Sequence, residues 1–518
     1  MAQINVTDLT YSYEGSFDTI FENVSFSVDT NWKLGFIGRN GKGKTTFLNL
    51  LMGKYDYSGT IATSTHFDYF PYPVSEEQGR ECAIELMDVW KPGCEQWRVI
   101  CELGKLHADA EILYRPFESL SQGERTKVLL AVLFSGENEF LLIDEPTNHL
   151  DHRAREIVKQ YLKEKKGFIL VSHDRDLLDA CVDHVLVLNR QTIEVQSGNF
   201  SSWWENKNRA DQFAMAENEK HRKEIANLKR AAEQSRRWAD KNESTKIGFD
   251  PVKEPDRCIS TRAYIGAKTK KVQSRVTQFE RRIDREIEEK EGLLQDIENP
   301  AALKLNPLRY YKERLISCKD LTVRYVQATE PVLRDFSFEL IQGERVFLQG
   351  ENGCGKSTLI RTILAQAGAD ATDRKDRQSG IFGAQMVQTG NSHVASNLSY
   401  SYVCQDTGFL KGSIKDFCKE RRLDESLFLT LLKKLDVDRV QFGKNMEEFS
   451  EGQKKKVLIA ASLITPAHVY IWDEPLNYID VFSRMQIEEL ILTYQPTMIL
   501  VDHDVRFRDK IATRVVEM

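Results

Sequence analysis

The sequence predicts an α/β chain with two copies of a P-loop nucleotide-binding domain in tandem, joined by a long antiparallel α-helical hairpin. Three observations carry this. A glycine-rich octapeptide occurs twice, at Gly38–Thr45 and Gly350–Ser357. The motifs that follow it in the first copy follow it again, in the same order, in the second. Between the copies the texture changes to a charged stretch whose apolar residues recur at helical spacing. The expected boundaries are 1–199 for the first domain, 200–312 for the linker with its tip near 243–263, and 313–518 for the second domain.

The repeat is explicit. Gly38-Arg39-Asn40-Gly41-Lys42-Gly43-Lys44-Thr45 recurs as Gly350-Glu351-Asn352-Gly353-Cys354-Gly355-Lys356-Ser357. Leu120-Ser121-Gln122-Gly123-Glu124 recurs as Phe449-Ser450-Glu451-Gly452-Gln453, and Leu141–Pro146 as Tyr470–Pro475. Val171-Ser172-His173-Asp174 recurs as Val501-Asp502-His503-Asp504. The offset between copies is 312 residues at the glycine loop and 329 to 330 at the later motifs. A period this long means a duplicated domain, not a solenoid. The second copy therefore carries about 17 extra residues after its glycine loop, and the polar stretch Ala365–Asn397 is expected there as a surface loop or small excursion.

Length and composition agree. At ~150 residues per domain, 518 residues suit about three domains. Apolar residues make up 41% and charged residues 29%, which excludes collagen-like, low-complexity and wholly disordered chains. The longest apolar run, Val128–Phe134, is far shorter than the ~18 residues of a membrane span. Met1–Glu14 lacks a basic segment before an apolar core, so no secretory signal is expected, and the expected location is the cytoplasm. The nine cysteines are scattered without C-x-x-C spacing, as in a reducing compartment. Cys354, inside a phosphate loop, is placed where oxidation would affect one site.

In each copy an apolar run precedes the glycine loop and helix-forming sequence follows it, the strand–loop–helix context of a P-loop. The glycines let backbone N–H groups crowd around phosphates at a helix N-terminus. Lys44 and Lys356 would reach the terminal phosphates of ATP, with Thr46 and Thr358 completing the loops. The hydroxyls of Thr45 and Ser357 would ligate Mg²⁺. Asp144 and Asp473 end apolar runs and would hold the same ion. Glu145 and Glu474 point the other way along an extended chain and would act on an attacking water as general base. His173 and His503, 29 and 30 residues beyond those aspartates, suit a γ-phosphate sensor. Tyr13 and Tyr325 each lie 31 residues before the P-loop lysine and offer a flat face to adenine.

The middle segment differs. Residues 200–315 hold 26 Lys and Arg against 20 Asp and Glu, and 222–285 hold 18 against 9, in a chain of net charge −6. A basic middle on an acidic protein is the asymmetry of an element that faces nucleic acid. Ser201–Asn242 contains no Gly or Pro, and Ile225, Leu228 and Ala232 keep helical spacing. Lys268–Glu298 returns with Val272, Val276, Phe279, Ile283 and Ile287 at steps of three and four. Two such stripes facing each other make an antiparallel hairpin. Gly248, Pro251, Pro255 and Ser260 make the tip a loop. Lys246, Phe249, Arg257, Arg262 and Tyr264 there mix charge with aromatic faces, as RNA contacts need.

Taken together, these motifs resemble ABC-type ATPase domains: Walker A, Gln loop, signature, Walker B and His switch. Glu145-Pro146-Thr147-Asn148-His149-Leu150-Asp151 resembles the run typical of the ABC-F family, whose members carry two ATPase domains on one chain. The resemblance implies a head-to-tail sandwich that supplies the functional dimer within one polypeptide. One composite ATP site would pair Lys44 with Ser450 and Gly452; the other would pair Lys356 with Ser121 and Gly123. The sequence departs from the pattern in places. Gln122 and Glu451 replace the first glycine of the signature. Tyr72 stands where a Gln loop is expected, whereas Gln405 keeps that place in the second copy and would be a Mg²⁺ ligand. Two unequal, hydrolysis-competent sites are therefore expected.

Only 77 residues separate Lys44 from Ser121, leaving no room for the extra arm of many housekeeping ABC-F factors. Together with the long tip and runs such as Arg115-Pro116-Phe117, this resembles the Lsa- and Vga-type antibiotic-resistance members. That resemblance implies a ribosomal partner, rRNA and tRNA near the exit site and peptidyl-transferase centre. It also implies protection against lincosamides, pleuromutilins and A-type streptogramins. The alternatives are a housekeeping ABC-F translation factor, the ATPase subunit of a membrane transporter and, more remotely, a DNA-repair ATPase. The leading reading expects neither a membrane nor a DNA partner.

Overall fold

The structure is a computed structural model. It describes residues 2–13, 19–137, 139–148, 150–189, 192–244, 274, 277–279, 281–283, 285–286, 303–326, 328, 330–366 and 386–518. The chain forms two compact units, Met1–Trp203 with Pro300–Met518, and Trp204–Asn299.

The first unit holds both copies. In the first, β1 (Gln3–Ser12) and β2 (Thr19–Asp29) form an antiparallel pair, followed by β3 (Lys33–Ile37) and the helix Lys44–Leu51. β4 (Ser58–Ala62) adds to β1, giving the three-stranded order β2-β1-β4. The strands β5 (His66–Phe70), β6 (Glu139–Asp144), β7 (Phe168–Val171), β8 (His184–Leu188) and β9 (Ile193–Ser197) join β3 in a second sheet, ordered β5-β6-β7-β3-β8-β9. All its pairings are parallel except β8 with β9. Phe140–Ile143 and Phe168–Val171 are buried throughout, as continuous apolar runs in a parallel sheet covered on both faces should be. The Walker A and Walker B motifs thus leave the same edge of one sheet, since β3 and β6 both flank β7.

The second copy repeats this plan. β10 (Arg314–Tyr325), β11 (Leu333–Ile341) and β13 (Met386–Val394) form the order β11-β10-β13, while β12 (Arg345–Gln349) lies in the parallel sheet. There β14 (Tyr400–Val403), β15 (Val469–Asp473), β16 (Met498–Val501) and β17 (Arg514–Glu517) give β14-β15-β16-β12-β17. Trp472, Tyr470, Phe347 and Phe507 are fully buried at its centre. The two copies share a backbone device. Gly59 at φ 103° and Gly390 at φ 99° cross β1 and β10, where a Cβ would come within 2.5 Å of the Asp8 carbonyl or 2.2 Å of the Asp320 carbonyl. Only glycine fits both the left-handed backbone and the gap.

One expectation is made specific here. Of the stretch Ala365–Asn397, expected as a surface loop or small excursion, Met386–Val394 is strand β13, paired along β10 from Tyr325↔Met386 to Ile316↔Val394. Its residues are polar because an edge strand keeps much of its surface in solvent, so the apolar alternation that marks a strand is missing. Residues 367–385 of that stretch lie outside the described residues.

The helix Phe200–Ser244, whose residues from Trp204 onward belong to the second unit, runs 45 residues, slightly beyond the predicted Ser201–Asn242, and so is about 68 Å long. The described positions between 274 and 286 are helical. Ile225 and Ile283 are buried, whereas Phe279, assigned to the same stripe as Ile283, is 45% exposed. The tip 243–263 lies outside the described residues apart from Glu243 and Ser244. Lys246, Phe249, Arg257, Arg262, Tyr264 and most of the return arm 268–298 are outside them too. No helix among the described residues is long and apolar enough to cross a membrane.

Candidate nucleotide sites

Both glycine loops form the expected cradle. Gly41 and Gly43 have φ 77° and 106°, and Gly353 and Gly355 have φ 87° and 105°. A Cβ on Gly43 would lie 2.6 Å from Ile20, and on Gly355 2.7 Å from Leu333. Lys44 Nζ donates to the carbonyl of Gly38 at 2.7 Å and to Asn40 Oδ1 at 3.1 Å. Lys356 Nζ donates to the carbonyls of Gly350 and Glu351 at 2.8 and 2.9 Å, with Cys354 Sγ at 3.8 Å. The Tyr13 hydroxyl meets Thr46 Oγ1 at 2.7 Å, and the Tyr325 hydroxyl meets Thr358 Oγ1 at 3.0 Å. The two predicted aromatics are therefore fixed beside the helices that follow the loops.

The two copies face each other as the resemblance implied. A cavity of about 800 Å³ is lined by Asn352, Gly353, Lys356, Ser357 and Tyr325 from the second copy and by Ser121 and Gly123 from the first. Gln405, Glu474 and His503 line it too. Its size suits a nucleotide. Ser121 and Ser450 each cap the helix that follows, in a capping box with Glu124 and Gln453. At the other composite site the glycine loop touches the opposite copy directly. Asn40 Nδ2 donates to the Tyr478 carbonyl at 2.6 Å and lies close to Gly452. Arg39 pairs with Asp436 and sits 5.6 Å over the ring of Phe482, and Lys42 is 3.9 Å from Asp438. Glu351, the counterpart of Arg39, lies 3.9 Å from Arg153 in an exposed pair. The sites are thus unequal in packing.

Beside each loop the acidic residues are assembled. Thr45 Oγ1 donates to Asp144 at 3.1 Å, and Ser357 is hydrogen-bonded to Asp473. Glu145 and Glu474 both take left-handed backbone, φ 52° and 49°, a strained conformation typical of functional positions. His173 Nε2 stands 3.2 Å from Glu145 and His503 Nε2 3.6 Å from Glu474. Gln405 Nε2 donates to Glu474 at 2.8 Å, joined there by Asn477 Nδ2 at 2.7 Å. Gln405 therefore rests on the candidate base and not on Asp473.

Burial dominates the electrostatics. It pushes the Glu145 carboxyl up to about 8, helped by the charge of Asp144, and holds the His173 ring well below its usual value. Asp473 is pushed up to about 6, again by burial. The raised Glu145 value has a testable sign. Stability from this group is fully present below the unfolded carboxyl's 4.5 and is lost as pH rises through about 8. In the nucleotide-free protein, Glu145→Gln should therefore raise the melting temperature by an amount that grows from pH 5 to pH 8. Thermal melts at pH 5, 6.5 and 8 check this, and a pH-independent difference would contradict it.

The sequence points to Tyr72 as the replacement for the first Gln loop, but the structure turns it aside. Its hydroxyl donates to Asp68 at 2.6 Å and its ring stacks on Trp90. Tyr69 takes the position instead, its hydroxyl 3.2 Å from Asp144 Oδ2. Alternation along β5 could have suggested this, since Tyr69 lies directly opposite Leu142 of β6, two residues before Asp144.

The sequence also misses a buried charge network between the copies. Arg175 forms a two-pronged pair with Glu488, one arm at 3.3 Å, and Lys510 donates to the same carboxylate at 2.9 Å. Arg484 bonds Asp504 at 3.1 Å. Arg175 and Glu488 lie far apart in sequence, so no local motif announces their pairing.

A family model described as ABC transporter matches residues 21–148 and 333–477, together more than half of the chain. The chain belongs to the ABC ATPase family. It has the ABC-F organisation, two such domains on one polypeptide, and is an ATPase. Among its relatives, ribosome protection protein VmlR of Bacillus subtilis is 26% identical over 98% of this chain and 85% of its own length. The erythromycin resistance ATP-binding protein MsrA of Staphylococcus epidermidis is 25% identical over 94% of this chain and 92% of its own. ATP-binding protein Uup of Buchnera aphidicola is 26% identical over 98% and 79%. The archaeal ribosome recycling factor aABCE1, solved in complex with the stalk protein aP1, shares the fold at a TM-score of 0.58 and 18% identity, over 98% of this chain and 87% of that one.

ABC ATPase domains bind ATP with Mg²⁺, and the residues present fit the ion. Asp473 Oδ1 is buried without a hydrogen-bond partner, beside a serine hydroxyl, and the threonine–aspartate pair repeats the arrangement in the other domain. Hard oxygen donors of this kind suit Mg²⁺.

Proposed function

We propose that the chain is an ATP-dependent ribosome-binding ABC-F protein. It protects the ribosome from drugs of the peptidyl-transferase centre: lincosamides, pleuromutilins and A-type streptogramins. The observation that carries this is the 45-residue helix between two ATPase domains, within a basic segment, in a chain similar over nearly all its length to a ribosome protection protein. The ATP-closed form would dock at the tRNA exit site in the cytoplasm and direct the tip, with Lys246, Phe249, Arg257, Arg262 and Tyr264, toward the drug site. Hydrolysis would release it.

Within each composite site the roles follow the chemistry. Lys44 and Lys356 reach the phosphates, with the N–H groups of Gly38–Thr46 and Gly350–Thr358. Ser450 and Gly452, or Ser121 and Gly123, present a hydroxyl and a helix N-terminus to the γ-phosphate. Thr45 with Asp144, and Ser357 with Asp473 and Gln405, would hold Mg²⁺, which when bound neutralises charge on the phosphates. Glu145 and Glu474 take the proton of the attacking water, and His173 and His503 orient the γ-phosphate. Tyr13 and Tyr325 stack on adenine.

Expression in a drug-sensitive host tests the reading. Inhibitory concentrations should rise for at least one of the three drug classes and fall back when Lys44 and Lys356 are both changed to Ala. Unchanged values for all three classes favour the second reading, a housekeeping ABC-F translation factor without a resistance role.

A further inference from the structure

The long helix is rooted between the two ATPase domains. Asn199 caps it, accepting from the Ser202 N–H at 3.0 Å. Ser201 donates from its backbone N–H at 2.7 Å and its hydroxyl at 2.5 Å to the two oxygens of Asp179. Asp179 lies on the helix Arg175–Cys181, directly after His173. From the second domain, Arg506 lies on the helix Val505–Ile511, directly after His503. Its Nε donates to Asp176 at 2.5 Å, its Nη2 to Asp179, and its Nη1 to Ser201 Oγ at 3.4 Å. One guanidinium therefore joins the helices behind both His switches and the first turn of the linker. On the neighbouring face Trp203 packs edge-on against Phe482, with ring centres 6.2 Å apart. Arg39 of the first Walker A loop covers the same Phe482 ring.

We propose that Arg506 is a positioning residue that ties the root of the helix Phe200–Ser244 to closure of the two ATPase domains. The chain itself decides which contacts can persist. Asp179 belongs to the first domain and Ser201 opens the linker two residues after that domain ends, so the two stay together whether or not the second domain is near. Arg506 and Phe482 belong to the second domain, so Ser201 and Trp203 meet them only when the domains stand at this spacing. Closure thus adds a second wall to the root, and separation removes it. A purely stabilising role fits poorly. Arg506 is 34% exposed, and ion pairs this open to solvent contribute little. What a planar fork supplies here is geometry: three acceptors on two elements, met at once from a third.

The inference rests on the nucleotide-closure part of the proposed function and not on a ribosomal partner. Backbone hydrogen exchange read by mass spectrometry tests it, in the full chain carrying Glu145→Gln and Glu474→Gln, with and without ATP and Mg²⁺. ATP should slow exchange both in the glycine-loop helices, 44–51 and 356–366, and in the root, 200–206. With Arg506→Ala added, slowing in the glycine-loop helices should persist while slowing at the root is lost. Arg506→Lys should restore part of it. Asp176→Arg with Arg506→Asp should restore more, because one guanidinium again stands among the carboxylates. Full root protection in Arg506→Ala overturns the proposal, as does loss of protection at the glycine loops in that variant. Absence of glycine-loop protection in the parent chain overturns the nucleotide reading itself, and this inference with it.

Discussion

A chain carrying both Glu145→Gln and Glu474→Gln should turn over ATP about 10²–10⁴-fold more slowly, the usual worth of a general base. With ATP it should sediment with ribosomes, where the unaltered chain is released. The glutamates close strands β6 and β15, held in left-handed backbone with a histidine 3.2 and 3.6 Å away. Glutamine keeps their shape but takes no proton from water. The lysines, signature serines and tyrosines proposed to bind nucleotide are untouched, so the closed state should form and not be relieved. The single variants should differ. Glu474 already receives hydrogen bonds from Gln405 and Asn477, which an amide only partly replaces, whereas Glu145 accepts a long one from the His173 backbone N–H at 3.4 Å. A double variant that stays in the supernatant with ATP would refute the coupling. So would one that pellets equally with ATP, with ADP and with no nucleotide.

Arg175→Ala should cost about 3–5 kcal/mol, the typical price of removing one partner from a buried ion pair. Glu488 is fully buried and Arg175 only 6% exposed. Removing the guanidinium leaves that carboxylate with Lys510 as its remaining ion-pair partner. Because Arg175 lies in the first domain and Glu488 in the second, the loss falls on their association. Urea unfolding should therefore shift to lower midpoint and separate into two transitions. Replacing both residues, Arg175→Met with Glu488→Leu, should recover most of the stability, since no charge is then stranded. A single-variant loss below about 1 kcal/mol would show that solvent reaches Glu488.

What the sequence discloses here is local chemistry. Lys44, Thr45 and Gly43 must be consecutive to form a loop, so spacing reveals them, and the structure gathers them as expected. Ser121 and Ser450 are legible for the same reason, as caps three residues before Glu124 and Gln453. Direction and partnership are less legible. Tyr72 matches the Gln-loop position by alignment, yet Asp68 and Trp90 draw it away, and Tyr69 reaches Asp144 from two strand steps back. Gln405 sits in the expected place but spends its amide on Glu474. The edge strand Met386–Val394 hides because solvent tolerates any polar residue on its open face. Arg175, Glu488 and Arg506 stay invisible because their meaning lies in pairings across more than 300 residues of chain.

Asp176 and Arg506 occupy the same station in the two copies, and they touch each other. In a sandwich of two identical domains that station would meet itself, carboxylate against carboxylate or guanidinium against guanidinium. Arg39 and Glu351 repeat the pattern, since one meets Asp436 and its counterpart faces Arg153. Duplication has been followed by a parting of signs, and each half has become a mate for the other and a poor one for itself. A chimera with two first halves, or two second halves, would repel along its own seam, which makes this gene indivisible in a way its internal symmetry conceals.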